Sequence, residues 1–158
     1  MRILLYAIWV ATLVACTPAE PAPAEVVRGI YAEAAQRAAH NRTTGETDLP
    51  LTADFSQALT RASAAAQKRN EPFIDGDLAL DCQECSGFAN LSVAMKQPPA
   101  NGAAVVEARF SIGAQQRVVI WDMRKTHEGW RVDNIRSPHG GDLRAAAQNE
   151  LSAQPPHD

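Results

Sequence analysis

Residues 103–124 read AAVVEARFSIGAQQRVVIWDMR, and apolar side chains recur there at every second position. In Ala103–Ile112 the apolar residues alternate with polar ones, which is the pattern of a β-strand with one buried face. A second strand is predicted over Gln116–Arg124, after the short turn sequence Gly113-Ala114-Gln115, and it has apolar residues on both faces, which is typical of a central strand. Two such segments joined by a short turn predict neighbouring antiparallel strands.

Two further strands are predicted on either side of this pair. Phe88–Met95 precedes it, and Trp130–Ile135 follows it. Asn101-Gly102, a strong signal for a two-residue hairpin turn, lies between the first and second strands. The turn sequence His127-Glu128-Gly129 separates the third and fourth strands. The chain therefore predicts a four-stranded antiparallel meander.

Helical spacing of apolar residues marks three other segments. Glu25–His40 and Thr52–Lys68 precede the strands, and a shorter helix, Asp142–Leu151, follows the break at Gly140-Gly141. Thr52 is the type of residue that caps the N-terminus of a helix. Helices that are segregated from an antiparallel sheet define the α+β class.

Several segments resemble the DUF3828 family, which comprises small exported bacterial proteins of the NTF2-like, cystatin-like superfamily. They lie within Val26–Leu143 and are Tyr31, the Leu-Thr-x-x-Phe-x-x-x-Leu helix of Leu51–Ala64, Ile74-Asp75-Gly76-Asp77, and Gly129-Trp130-Arg131-Val132-Asp133-Asn134-Ile135. Asp77-Leu78-Ala79 departs from the Asp-Pro-Phe that the family often has. The resemblance implies an NTF2-like fold, in which N-terminal helices pack on a curved four-stranded antiparallel sheet with a short C-terminal helix. It also implies a cone-shaped cavity.

The start of the chain has the features of an export signal. A positive start, Met1-Arg2, precedes the apolar run Ile3–Val14, which is too short to span a membrane. The sequence Leu13-Val14-Ala15-Cys16 resembles a bacterial lipoprotein box. This resemblance implies cleavage before Cys16 and attachment of fatty acids such as palmitate to the cysteine. An ordinary export signal with a chance cysteine is the alternative.

These features divide the chain into four predicted parts. They are a signal peptide over 1–15, a Pro/Ala-rich tether over 16–25, an NTF2-like domain over 26–151 and a flexible tail over 152–158. Lipid on Cys16 would make the membrane a partner of the protein and hold it in the bacterial cell envelope. By similarity to enteric lipoproteins, Thr17 after the cysteine favours the outer membrane, facing the periplasm.

Composition argues against several classes of partner. The 158-residue chain has a net charge of −3 and a pI near 5.8, and its basic residues are scattered. We therefore expect no nucleic-acid partner. The four histidines are far apart in the sequence, and we expect no metal and no cofactor.

Cys82 and Cys85 form a Cys-x-x-Cys motif inside an acidic segment, Glu71–Cys85. In an exported protein this pair predicts a structural disulfide, which closes a small loop and adds little stability. A redox site and a zinc site are the alternatives, but acidic neighbours disfavour a reactive thiolate and zinc needs four ligands. The acidic segment itself predicts a solvated or helix-capping loop, with a calcium loop as the alternative.

The sequence contains no recognisable catalytic motif. The NTF2-like resemblance instead implies that a small ligand or a protein partner occupies the cavity or the open sheet face. We therefore expect a non-enzymatic binding module, and an immunity or inhibitor role falls within this class. The candidate cavity or partner-binding residues are large apolar side chains and one strand carboxylate: Tyr31, Phe73, Phe88, Phe110, Trp121, Met123 and Asp133.

Two other functions remain open from the sequence. A structural or accessory envelope protein fits the anchor and the acidic domain, and a homodimer through the sheet, common in the superfamily, is also expected. An isomerase or dehydratase would need a carboxylate base, Asp122 or Asp133, opposite Tyr31 in an apolar pocket.

We predict that Cys16 is the first residue of the mature protein and carries lipid. Expression of the full chain in a bacterium should give a mass that lacks residues 1–15 and includes acyl chains. Cys16→Ser should move the protein from the membrane fraction to the soluble fraction, because two or more acyl chains supply the anchorage. A soluble mature chain that starts after Cys16 would contradict the prediction.

Overall fold

The computed structural model describes residues 20–85 and 87–153, so the predicted signal peptide and Cys16 lie outside the described residues. The described chain contains three α-helices, one short 3-10 helix and five β-strands. In chain order they are α1 (Pro23–Ala38), the 3-10 helix (Glu46–Asp48), α2 (Ala53–Gln67), β1 (Ala89–Ala100), β2 (Ala103–Ile112), β3 (Gln115–Thr126), β4 (Gly129–Ser137), β5 (Gly141–Asp142) and α3 (Leu143–Ser152).

The predicted α+β class and the C-terminal helix are confirmed, but the sheet has five strands and not four. Its order is β1-β2-β3-β4-β5, and every paired neighbour is antiparallel. The additional strand, β5, pairs Gly141 and Asp142 with the end of β4. A two-residue strand is too short to show an alternating pattern, which is why the sequence did not indicate it.

The outer edge of β4 is also covered near its middle. Leu51 forms a parallel bridge with Val132. The backbone N–H of Thr52 donates to the Val132 carbonyl at 2.8 Å, and the Val132 N–H donates to the Pro50 carbonyl at 2.8 Å. The segment that enters α2 is therefore tied to the sheet before the helix begins.

The helix boundaries follow local chemistry. Helix α1 begins at Pro23, so the last three residues of the predicted tether belong to the helix. Proline is tolerated in the first turn because the backbone N–H that it lacks would have no partner there. Helix α2 begins after Thr52, whose side chain accepts a hydrogen bond from the Phe55 N–H at 3.3 Å, as its residue type predicts.

The core lies between α1 and the inner face of the sheet. Tyr31 of α1 contacts Phe110 and Trp121 of the sheet, with ring centroids 5.4 and 6.0 Å apart. Phe88 packs against the same tyrosine at 5.6 Å. Such edge-on and tilted contacts between aromatic rings add to the free energy gained by burying them.

Strand β1 is the exposed edge of the sheet. Nearly all of its residues are exposed, and Leu91 and Met95 show 39% and 37% of their surfaces. Pro98 and Pro99 near its end cannot donate backbone hydrogen bonds to an added strand. The homodimer expected from the sequence stays a prediction, and this edge is one surface for it.

We predict that Tyr31 stays neutral until the domain unfolds in alkali. Burial raises the pKa of its hydroxyl far above the usual value of 10.0, and the nearby charges of Asp77 and Asp81 raise it further. In the unfolded chain the tyrosine ionises near its usual pKa. Above about pH 10 unfolding therefore releases a proton, and the free energy of unfolding falls as pH rises.

Tyrosinate absorbance and circular dichroism measured together test this prediction. Tyr6 lies in the predicted signal peptide, so Tyr31 supplies the whole tyrosinate signal of the expected mature chain. The two signals should change at the same pH, and Tyr31→Phe should lose part of the alkaline destabilisation. A tyrosinate transition near pH 10 in a chain that stays folded would contradict the prediction.

Candidate functional site

Most of the candidate cavity residues are part of the packed core. Tyr31, Phe110 and Trp121 are fully buried, Met123 is nearly so, and Phe88 is partly buried against them. Together the aromatic rings fill the space between α1 and the sheet. These five residues therefore meet in the hydrophobic core. Of the predicted candidates, Phe73 is the one that lines the pocket described below.

Asp133 lies away from that interior and joins three elements. Its carboxylate accepts hydrogen bonds from the Thr52 hydroxyl at 2.8 Å and from the Arg144 guanidinium at 2.9 Å. The same guanidinium donates to the Asp133 carbonyl at 2.7 Å and stacks 5.0 Å from the Phe55 ring centre. Asp133 therefore fastens the start of α2 and the start of α3 to β4.

The carboxylate and tyrosine proposed for an isomerase do not face each other. Asp122 is held by Arg136 through two hydrogen bonds of 2.8 and 2.6 Å, and Asp133 is bonded as described. The Tyr31 hydroxyl donates to the Ala79 carbonyl at 2.9 Å in the buried interior. These side chains do not form the base and oxyanion donor that this chemistry requires.

A pocket of about 430 Å³ opens between the acidic loop and the end of the sheet. Its apolar surface comes from the loop, from the inner face of the sheet and from the start of α3. The residues are Phe73, Ile74, Leu78, Val119, Ile135 and Leu143. Its polar rim is formed by the loop that contains Asp75, Asp77 and Asp81 and, on the opposite side, by Ser137 and His139.

Asp77 fixes the shape of the acidic loop. Its side chain is buried, and one carboxylate oxygen accepts the N–H groups of Ala79 and Leu80 at 2.8 and 2.9 Å. The other oxygen accepts the Thr44 N–H at 2.7 Å. All three of these hydrogen bonds hold the backbone of the loop in place. Among the described residues no helix starts directly after Asp77, so its carboxylate stabilises a turn and does not cap a helix.

The loop also approaches itself closely. The Asp77 N–H donates to the Cys82 carbonyl at 2.7 Å, and Gly76 lies beside that carbonyl with φ of 145°. A Cβ at Gly76 would stand 2.7 Å from the carbonyl oxygen, so glycine is required. Cys82 and Cys85 lie at disulfide distance, with Cα atoms 6.2 Å apart, as the motif predicts.

Asp81 is the distinctive polar group of the pocket. Its Oδ2 atom is buried and has no hydrogen-bond partner in the described part of the chain. Among the described residues that line the pocket there is no lysine or arginine, and His139 on the rim is the one basic side chain. Gly140 lies on the opposite rim, where a Cβ would be 3.0 Å from Asp81 Oδ1.

The sequence indicated the acidic composition of this loop but not the site. Asp75 accepts a hydrogen bond from Gln83 at 2.8 Å, and Asp77 accepts hydrogen bonds from backbone N–H groups. Asp81 keeps one carboxylate oxygen without a partner among the described residues. Their roles differ through contacts made on folding and not through residue type. Neither Asp81 nor Gly140 was among the predicted site residues, and the absence of basic residues from Glu71–Cys85 was the one available signal.

Within residues 20–85 and 87–153, no group of three or more His, Cys, Asp or Glu side chains is placed to hold a metal ion. None of the described helices is long and apolar enough to cross a membrane.

Comparisons with known proteins give one structural match. No protein-family model and no curated protein matches the chain. Among solved structures, a phospholipid-binding protein from Ralstonia solanacearum, in complex with a phospholipid, is similar with a TM-score of 0.39 and 17% sequence identity. The match covers 77% of this chain and 61% of that one, so the chain spans less than two thirds of its neighbour. A similarity at this level assigns no function.

We predict that Asp133 is a structural residue. Asp133→Ala removes the shared acceptor of Thr52 and Arg144, and we expect it to lower the free energy of unfolding by about 1–3 kcal/mol. Glu33→Ala is the control, because Glu33 is 61% exposed and, within the described residues, its ion pair is with Arg37 along α1. For this variant we expect a change within about 0.5 kcal/mol. Chemical denaturation measures both, and equal effects of the two changes would contradict the assignment.

Proposed function

We propose that the chain is a lipid-anchored envelope protein whose domain binds a small ligand without catalysing a reaction. The ligand has an apolar body and a cationic, hydrogen-donating head, and it enters the pocket between the acidic loop and the sheet. The observation behind this proposal is the buried Oδ2 atom of Asp81, which has no hydrogen-bond partner among the described residues. Asp81 lines a pocket with an apolar wall, and no described lysine or arginine lines that pocket.

The apolar body of the ligand is inferred from the pocket wall. A volume of about 430 Å³ lies in the range of small-molecule sites, which are mostly apolar with a few placed polar groups. Phe73 and Leu78 on the loop, together with Val119 and Ile135 on the sheet, offer such a surface. Removal of this surface from water by a ligand favours binding in proportion to the apolar area buried.

The cationic head is inferred from Asp81. A buried carboxylate oxygen without a donor costs about 1–3 kcal/mol relative to a satisfied one. If the Asp81 side chain turns its Oδ2 toward the pocket, an ammonium group at this wall supplies the missing donor and a compensating charge. Asp75 at the rim adds a second negative charge, whereas Asp77 is already bonded to three N–H groups.

The NTF2-like, DUF3828-type assignment belongs to the same proposal. Helices that precede an antiparallel meander, with α1 packed on β1, β2 and β4, support it. The bacterial envelope location rests on the export leader and on the lipoprotein box at Cys16. The outer membrane is the proposed site because Thr17 follows the cysteine.

We predict that the domain binds decylammonium, whose head carries N–H donors and a positive charge, and that Asp81→Asn weakens this binding about ten-fold or more. Loss of a charge-assisted hydrogen bond or ion contact worth about 1.5–3 kcal/mol gives that factor. Isothermal titration calorimetry below the micelle concentration measures the affinity. Decanol, which has the same alkyl body and a neutral head, should bind the unchanged chain and Asp81→Asn equally.

Two variants separate the two parts of this proposal. Phe73→Ala removes part of the apolar wall and should lower the affinity for both probes by a similar factor. Asp75→Asn is the matched control for charge, because Asp75 is exposed and already accepts from Gln83; its effect should be smaller than that of Asp81→Asn. Decanol and the cation binding equally well would overturn the cationic head, and no binding of either probe would overturn the site.

A further inference from the structure

The start of the described chain lies against the turn between β3 and β4. The Glu20 carboxylate forms an ion pair with Lys125, and a Cβ at Gly129 would be 3.3 Å from Glu20 Oε1. The Lys125 N–H also donates to the Gly102 carbonyl at 2.7 Å, which brings the β1–β2 turn to the same end. We call this end, with Glu20, Lys125, His127 and Trp130, the hairpin end.

The distance from Cys16 to the hairpin end is limited by covalent geometry. Four residue steps separate Cys16 from Glu20, and an extended chain of that length reaches at most roughly 14 Å. If Cys16 carries lipid, as proposed above, the hairpin end is held within that reach of the bilayer surface. The sequence suggested a tether of ten residues, 16–25. With Glu20 paired to Lys125, the part of the tether between the lipid and the domain is limited to residues 16–20.

We propose that the hairpin end is the membrane-facing surface of the domain and that it contacts lipid headgroups through Trp130 and His127. The His127 side chain is 92% exposed at the turn. Trp130 is partly buried, and Lys125 Nζ lies 5.7 Å from its ring centre. Tryptophan beside a flexible cation is the pairing that membrane interfaces favour, because the ring is apolar with one polar edge and the lysine reaches to water or headgroups.

The proposed ligand pocket lies at the other end of β4. Ser137 is eight residues from Gly129, which is roughly 26 Å at the spacing of a strand. His139 lies on the rim of the pocket and is exposed. His127 and His139 are therefore exposed residues of the same type at the two ends of β4. A fluorescent label at each position allows the two ends to be compared.

The test uses the full chain, processed in a bacterium, purified in detergent and reconstituted on the outside of phosphatidylcholine–phosphatidylglycerol vesicles. One chain carries His127→Cys and the other His139→Cys, each labelled on the new thiol with an environment-sensitive fluorophore. Cys82 and Cys85 are at disulfide distance and Cys16 is expected to be acylated, so the new thiol is the reactive one. Lipids with spin-labelled headgroups quench a fluorophore that lies close to the surface.

We expect strong quenching at position 127 and little at position 139. Trp130→Phe in the unlabelled chain should also abolish the part of tryptophan fluorescence that brominated lipids quench, because Trp121 is buried in the core. Equal quenching at the two positions, or stronger quenching at 139, overturns the proposal. A purified chain that has no lipid on Cys16 and does not bind vesicles also overturns it, and neither result bears on ligand binding by the pocket.

Discussion

The side chain of Tyr31 joins the three parts of the fold. Its ring packs against Phe88, Phe110 and Trp121, and thereby fixes α1 on the inner face of the sheet. Its hydroxyl donates to the Ala79 carbonyl, which ties the acidic loop to the same helix. A buried hydroxyl needs that partner, since an unsatisfied polar group in the core is costly. The position of the loop, and hence of one wall of the pocket, depends on this contact.

Two aspartates four residues apart illustrate how contacts divide roles within one loop. Asp77 accepts three backbone N–H groups, so its charge is used to shape the chain. Asp81 follows one tight turn later with φ of 53°, and its Oδ2 has no partner among the described residues. A carboxylate that shapes the chain and one with an unpartnered oxygen are thus neighbours, and the difference between them depends on which donors the fold brings to each.

Local patterns were sufficient for the elements but not for the site. The alternation of Ala103–Ile112, the Asn101-Gly102 turn and the Thr52 cap each predicted the structure that forms, because each depends on neighbouring residues. Alternation also shows which face of a strand is buried, but it does not show whether that face leaves an empty space. Phe110 and Trp121 were therefore expected at a cavity and instead pack with Tyr31. The placement of Asp81 opposite Gly140 could not be predicted, because it depends on two loops that meet only in the folded chain.

The two edges of the sheet differ in a way that limits how copies of the protein can associate. The far side of β4 is occupied by β5 and by the Leu51–Val132 bridge, whereas β1 is exposed. A sheet with two open edges can add strands at both sides and grow into a fibre. In the described part of this chain one edge is open, so association by strand addition stops once two β1 strands have paired. The Leu51–Val132 bridge before α2 therefore blocks the addition of further strands at the β4 side of the sheet.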